Sequence, residues 1–181
     1  MPEAVIVAAA RSPIGRASKG SLVECRPDDL TVAIVRAVLA MVPQLDPGAV
    51  QDLLLGCAEP AGESGFNLAR VVAILAGMPN VPGVTVNRLC SSSLETIRMA
   101  FHAIKAGEGD IFLTAGVETV SRLLGTAWPT LVPTTRSLPR PRSVLLNEPK
   151  EESVHGSPRP GCQMSILWRA RPLRTSAWSS M

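Results

Sequence analysis

Over its first 122 positions the chain alternates between short continuous apolar runs and longer stretches where apolar residues recur at helical spacing. Val5-Ile6-Val7-Ala8-Ala9 is a run of strand type, closed by a Ser12-Pro13-Ile14-Gly15 turn. Pro27-Asp28-Asp29 opens a helix with Asp28 as its expected cap, and Leu30, Ile34, Val38 and Met41 supply the apolar spacing until Pro43. Asp52 to Cys57 forms a second buried strand. Asn67-Leu68-Ala69-Arg70 begins a second helix through Val71, Ile74 and Leu75, ended by Gly77 and Pro79. A third strand, Val84-Thr85-Val86, ends at Asn87. The next helix carries Leu94, Ile97 and Phe101 on one face and stops near Gly107, before a fourth strand from Asp110 to Gly116. Strand and helix alternate, and the strands are apolar on both faces. The expected fold class is therefore α/β, a sheet with helices on both faces.

From Leu123 this pattern stops. Residues 123–181 hold eight of the sixteen prolines and all three tryptophans, and few apolar residues recur with either period. Prolines so dispersed exclude most long helices and central strands. The tail is expected to be mostly irregular and disordered, with 1–122 as the folded unit. Charge divides at the same place. Residues 1–122 carry ten Lys/Arg against twelve Asp/Glu, whereas 123–181 carry eight against three. The overall +3 thus averages a weakly acidic part and a basic one. The basic tail has seven arginines and one lysine but no basic run, which supports nucleic-acid binding only weakly.

The most informative residue is Cys90, in Val86-Asn87-Arg88-Leu89-Cys90-Ser91-Ser92-Ser93-Leu94. The run places a thiol at a strand-to-helix turn, on the first turn of the helix. Free backbone N–H groups and the positive end of the helix dipole there suit an anion, so the site favours a nucleophile and can hold an oxyanion. The alternative is a small, buried core cysteine. In α/β sheets reactive groups gather beyond the carboxyl ends of the strands, which is where Cys90 falls. The four cysteines, Cys25, Cys57, Cys90 and Cys162, have no CxxC or metal-type spacing, and no metal site is expected. With no signal-peptide pattern and no apolar run of membrane length, reduced thiols in a cytoplasmic protein are expected.

Six phrases in order make residues 1–122 resemble the N-terminal half of thiolases, the acetyl-CoA acyltransferases. They are Arg11-Ser12-Pro13-Ile14-Gly15, Gly56-Cys57, Asn67-Leu68-Ala69-Arg70, Ala76-Gly77-Met78-Pro79, the Cys90 segment, and Ala115-Gly116-Val117-Glu118-Thr119-Val120-Ser121-Arg122. The resemblance implies a partial thiolase-type N-terminal domain with a mixed sheet. It implies that Cys90 is the catalytic nucleophile, carrying an acyl group as a thioester, with its own amide contributing to an oxyanion hole. It further implies coenzyme A thioesters as substrates, with no bound cofactor, in β-oxidation or its reverse. Small Ser91, Ser92 and Ser93 let the helix start close to neighbouring backbone, and Gly116 permits close approach or a positive φ. The remaining residues have structural readings. Asn67 and Arg70 cap and support a helix, Glu118 and Arg122 hold the turn after the fourth strand, and Cys57 is core. Cys25 has no assigned role, and His102 is a helix-surface residue.

Thiolases also use a histidine and a second cysteine, in Gly-His-Pro and Cys-Gly-Gly contexts, and neither phrase occurs here. His155 precedes Gly156-Ser157-Pro158, the wrong order. The resemblance therefore implies a truncated chain, inactive or nearly so alone, without the CoA-binding loop or the strand that completes the sheet. Read one base earlier, with codons chosen freely, Leu138–Asn147 can give Phe-Ala-Glu-Ala-Gln-Val-Arg-Ser-Ala-Glu. In the same frame Met164–Ser176 can give Asp-Val-Tyr-Ile-Val-Ala-Gly-Gln-Thr-Ala-Glu-Asn-Val. Both are thiolase-like and in order, so the tail reads as frameshifted. The expected partners are acyl-CoA and CoA, with a homo-oligomer or pairing with a full-length thiolase subunit possible, no membrane, and nucleic acid disfavoured. The alternatives to an acyltransferase are a non-catalytic fragment that pairs with a full-length subunit and a basic disordered-tail binding protein.

Overall fold

A computed structural model of the chain describes residues 2–123 and 164–171. The expectations for Cys162, His155 and the tail other than 164–171 lie outside the described residues, whereas 164–171, expected to be irregular, is a strand. Nine elements follow in order: β1 (Glu3–Arg11), α1 (Pro27–Ala40), β2 (Asp52–Gly56), α2 (Leu68–Ala76), β3 (Gly83–Val86), α3 (Ser92–Ala106), β4 (Ile111–Gly116), α4 (Val120–Leu123) and β5 (Met164–Arg171). The strands form one mixed sheet in the order β1-β5-β4-β2-β3. β3, β2 and β4 are parallel, and β5 runs antiparallel to both of its neighbours, β4 and β1.

The α/β class with a mixed sheet and helices on both faces is what the apolar pattern and the resemblance indicated. One element differs. The sequence placed no strand beyond Gly116, yet Met164–Arg171 inserts between β1 and β4, and so fills the position expected to be missing. Its placement is tertiary. A segment with so short an apolar stretch, Ile166-Leu167-Trp168 between Ser165 and Arg169, becomes a strand where two unpaired edges are offered to it.

Side-chain alternation divides the sheet cleanly. Leu53 and Leu55 of β2, Leu113 and Ala115 of β4, and Leu167 of β5 join Val32, Val35, Val38, Leu68, Val72 and Ala73 in the main core under α1 and α2. Leu54, Phe112 and Ile166 face the other way, toward Ala100 and Ile104 of α3.

The buried helix faces match those read off the apolar spacing only in part. In α1, Leu30 and Val38 are buried as the spacing indicates, together with Thr31, Val32 and Val35, whereas Met41 is exposed. Asp28 does not cap this helix. Arg26 occupies the cap position, and Asp28 binds the Arg26 guanidinium and the Asp29 amide instead. In α2, Leu68, Ala69, Val72 and Ala73 face inward and Val71 and Ile74 outward. In α3, the buried face is Ser92, Thr96, Ala100 and Ile104, while Leu94 is 67% exposed and Phe101 37%. Two helix ends match expectation. Asn67 Oδ1 accepts from the Arg70 amide, and Gly77 closes α2 in the left-handed conformation.

Candidate functional site

The parallel strands bring α3 onto the sheet with its first turn over their carboxyl ends. Gly56 and Gly116 are direct partners in the β2–β4 register. A Cβ at Gly56 would lie 2.5 Å from the Ser92 carbonyl carbon and the Ser93 nitrogen, and one at Gly116 would lie 1.8 Å from Ser93 Oγ. Both glycines are required by this close approach and not by a positive φ. Below them the same face grows bulkier, through Leu54 beside Thr114 to Phe112. The helix is therefore seated closest at its start. Thr96 is buried under it, its hydroxyl donating to Ser93 O at 2.8 Å and lying 3.4 Å from Ala115 O.

Between β3 and α3 the chain makes a tight elbow. Leu89 has φ +48°, a left-handed conformation that a branched residue adopts only under tertiary constraint. Asn87 supplies that constraint. Its Oδ1 accepts from the Leu89 amide at 2.9 Å, and its Nδ2 donates to Ala58 O at 2.9 Å, tying the elbow to the β2 exit. Ser92 completes it: its Oγ accepts from the Arg88 amide at 2.9 Å and donates to Leu89 O at 2.7 Å. Glu95 pairs with both Arg88 and Arg98 on the outer side.

Cys90 stands at the crest of this elbow, exposed, just before the Ser91 N-cap and not on the first helical turn. The amides of Ser91 and Ser92 are bound by the carbonyls of Arg88 and Leu89, so these two are not open to an anion. The core reading of Cys90 is excluded by its exposure. Cys57, in contrast, is 1% exposed, and burial, with the Glu118 charge adding, pushes its thiol up to about 11. It is the inert core cysteine that its strand-end position suggested.

A cavity of about 660 Å³ opens at the carboxyl ends of β1, β2 and β4 and is lined by Cys90, Ser92 and Ser93. The β1–α1 segment also lines it through Ile14, Leu22 and Val23, as does Leu30 of α1. Glu118 also lines it, and its Oε2 accepts from the Ala58 amide at 2.8 Å. This glutamate holds the β2 exit loop more than its own turn. Cys25 lines the same cavity, half-buried, a position sequence reading gave no role.

The other singled-out residues lie away from Cys90. Asn67 Nδ2 donates to Gly83 O at 2.7 Å, and Arg70 donates to the carbonyls of Val81 and Pro79. Both are structural, as read. His102 is exposed on α3, edge-on to the Phe101 ring. Twelve residues of chain, mostly helix, put it roughly 15–18 Å along from Cys90. The Arg122 side chain lies outside the described residues. Asn87 and Gly56 are the contributors that sequence reading missed. The Gly56 signal was present, since a glycine closing an apolar strand marks close approach of backbone. No helix among the described residues is long and apolar enough to cross a membrane, and no three His, Cys, Asp or Glu side chains among them gather as metal ligands would.

Comparison with known proteins agrees with this fold. Residues 4–135 match the family described as thiolase, N-terminal domain. The chain is 46% identical to a 3-ketoacyl-CoA thiolase of Shewanella loihica over 119 residues, covering 65% of this chain and 31% of that protein. It is also 46% identical over 123 residues to a 3-oxoadipyl-CoA/3-oxo-5,6-dehydrosuberyl-CoA thiolase of Escherichia coli, covering 67% of this chain and 30% of that protein. The matched part thus spans about a third of the length of these curated relatives.

Proposed function

Because this chain belongs to the thiolase N-terminal domain family, we propose that it carries the nucleophile of a thiolase-type acyl transfer, with Cys90 as the catalytic residue. The observation that carries this reading is the exposed Cys90 thiol held on the strained Leu89 elbow, facing a cavity at the carboxyl ends of the strands. The Cys90 thiolate attacks the ketone carbon of a 3-oxoacyl-CoA. The bond between C2 and C3 breaks, and its electron pair leaves on acetyl-CoA, which then takes up a proton. The acyl group stays on Sγ as a thioester until the thiol of CoA attacks it, releasing a shortened acyl-CoA and restoring Cys90. The Cys90 amide contributes to the oxyanion hole.

Coenzyme A thioesters are then substrates and not resident cofactors, and a reduced cytoplasmic setting suits a free nucleophilic thiol. His102 is too distant to act as the base, which ordinarily contributes about 10²–10⁴-fold. With no Gly-His-Pro or Cys-Gly-Gly phrase in this sequence, the chain alone acylates once and does not sustain turnover. The frameshifted reading of residues 123–181 belongs to the same proposal.

Treating the full chain with acetoacetyl-CoA and mapping peptides by mass tests the reading. Acetylation at Cys90, absent in Cys90→Ala, is expected. Alkylation of Cys90 by iodoacetamide without any acylation by the thioester would overturn it. A second reading, a non-catalytic partner for a full-length thiolase subunit, is favoured by the apolar side chains left outward at Leu94 and Phe101 of α3 and Val84 of edge strand β3.

A further inference from the structure

Where β2 reaches the cavity, its backbone ladder stops one rung early on both sides. On the β4 side the last backbone bond runs from the Val117 amide to Gly56 O at 2.9 Å, and on the β3 side from the Cys57 amide to Val86 O at 3.0 Å. Continued in the same parallel register, the Ala58 amide would donate to Val117 O and the Arg88 amide to Cys57 O. Both amides go to side chains instead. The Ala58 amide donates to Glu118 Oε2 at 2.8 Å, and the Arg88 amide to Ser92 Oγ at 2.9 Å. The end of β3 stays joined to β2 through Asn87, whose Nδ2 donates to Ala58 O at 2.9 Å. Ala58 is thus held by both of its backbone polar groups, from β4 by Glu118 and from β3 by Asn87. The backbone after Asn87 is released from the sheet and free to turn into the elbow. Asn87 governs that turn as well, because its Oδ1 accepts from the Leu89 amide at 2.9 Å. The Cys90 amide lies between two that are tied, Leu89 to Asn87 and Ser91 to Arg88 O at 3.1 Å. With Leu89 held at φ +48°, the direction of the Cys90 amide follows from these flanking peptides, and Asn87 fixes one of them to β2.

We propose that Asn87 is a positioning residue for Cys90: braced by Glu118 through Ala58, it aims the Cys90 amide at the point where the oxyanion of acyl transfer forms. The inference rests on Cys90 being the acylated nucleophile and adds the residue that aims it. Asn87 is exposed and does not line the cavity, so it acts through its two bonds to backbone and not through burial or substrate contact. The residue type follows from those bonds. A short side chain must accept from one amide and donate to one carbonyl, which an amide group does and a carboxylate or hydrocarbon does not. A role in stability alone would cost the fold a little and leave the chemistry of Cys90 as it is.

The test follows single-turnover acylation of Cys90 in the full chain across a range of acetoacetyl-CoA concentrations, with iodoacetamide alkylation and denaturant midpoints measured alongside. Asn87→Ala is expected to slow saturating acylation by about tenfold to a hundredfold while the half-saturating concentration stays within about twofold. Alkylation, which builds no oxyanion, should stay within about threefold. Asn87→Asp keeps the acceptor for Leu89 but loses the donor for Ala58, and should slow acylation too; it carries the same readout if Asn87→Ala does not fold. Glu118→Gln retains an acceptor for the Ala58 amide and should lose little, whereas Glu118→Ala should slow the same step. Because the two residues act in series, the double variant should be no more than about twofold slower than Asn87→Ala. Asn67→Ala cuts two similar bonds, at the start of β3 and of α2, and serves as the stability control, with normal acylation expected. Normal acylation by Asn87→Ala, an equal loss in Asn67→Ala, or fully additive losses in the double variant would overturn the proposal and leave Cys90 as the nucleophile. Absence of acylation in the unaltered chain, with iodoacetamide still labelling Cys90, defeats the acyl-transfer reading and this one with it.

Discussion

On the α1/α2 side of the sheet, Leu53, Leu55 and Leu113 meet valines and leucines in an extensive close-packed core; on the α3 side the same strands taper from Phe112 through Leu54 to Gly56 and Gly116. The first side is filled by volume and the second by its absence. A large core stabilises but positions nothing in particular, because aliphatic side chains tolerate exchange at constant volume. A glycine pair under a helix start admits one depth of approach, and that depth decides where the elbow, and with it Cys90, projects.

The sharpest way to break this contrast is a pair of variants. Gly56→Ala drives a methyl group into the backbone of Ser92 and Ser93, which has no side chain to move aside, and is expected to cost about 3 kcal/mol. It should also slow Cys90 alkylation. Leu55→Ala, on the opposite face of the same strand, is expected to cost about 2–5 kcal/mol yet leave Cys90 alkylation unchanged. Denaturant titration and iodoacetamide kinetics on both variants read the difference. If Leu55→Ala slows Cys90 as much as Gly56→Ala does, the division between the faces fails.

A smaller effect separates the two cysteines at the ends of neighbouring strands. With its thiol raised to about 11, Cys57 is only about one part in a thousand thiolate at pH 8, and it is also shielded. Iodoacetamide at pH 8 should therefore modify Cys90 in the folded chain and reach Cys57 only after denaturation. Rapid native labelling of Cys57 would mean that the β2 exit opens readily.

The smallest effect is at the other end of β2. Among the described residues Asp52 Oδ1 is buried without a hydrogen-bond partner, and burial raises this carboxyl above its ordinary value against the opposing pull of the Leu53 amide. A raised folded-state value means stability is greatest below the unfolded value and falls as pH rises through the folded one. Asp52→Asn should raise the melting temperature at pH 7 by about 2 °C or less, because solvent screens a half-buried charge. The gain should vanish near pH 3. A lower melting temperature at pH 7 would show that the charge has a partner.

Legibility followed the same division. The first four strands, their order along the chain, the Asn67 cap and the Gly77 stop were readable because each rests on local chemistry. The inward faces of α2 and α3 were not. α2 is apolar on nearly every side, so spacing cannot choose between Val72 and Ile74, and α3 buries serine, threonine and alanine where hydrophobicity favours Leu94 and Phe101. Close approach selects small residues, and a hydrophobic pattern is blind to them.

By itself the sequence determined a thiol at a strand-to-helix junction followed by three small residues, because propensity, periodicity and turn chemistry act over a few positions. Tertiary structure decided the rest. It paired Gly56 with Gly116 so that the helix could sit down, held Leu89 left-handed through Asn87 and Ser92, and brought the β1–α1 segment across to wall the cavity. It also seated Met164–Arg171 between β1 and β4. Apart from the short bonds at Leu89, these are contacts between residues far apart in the chain, set by the space that the packed sheet leaves, and no local pattern encodes that space.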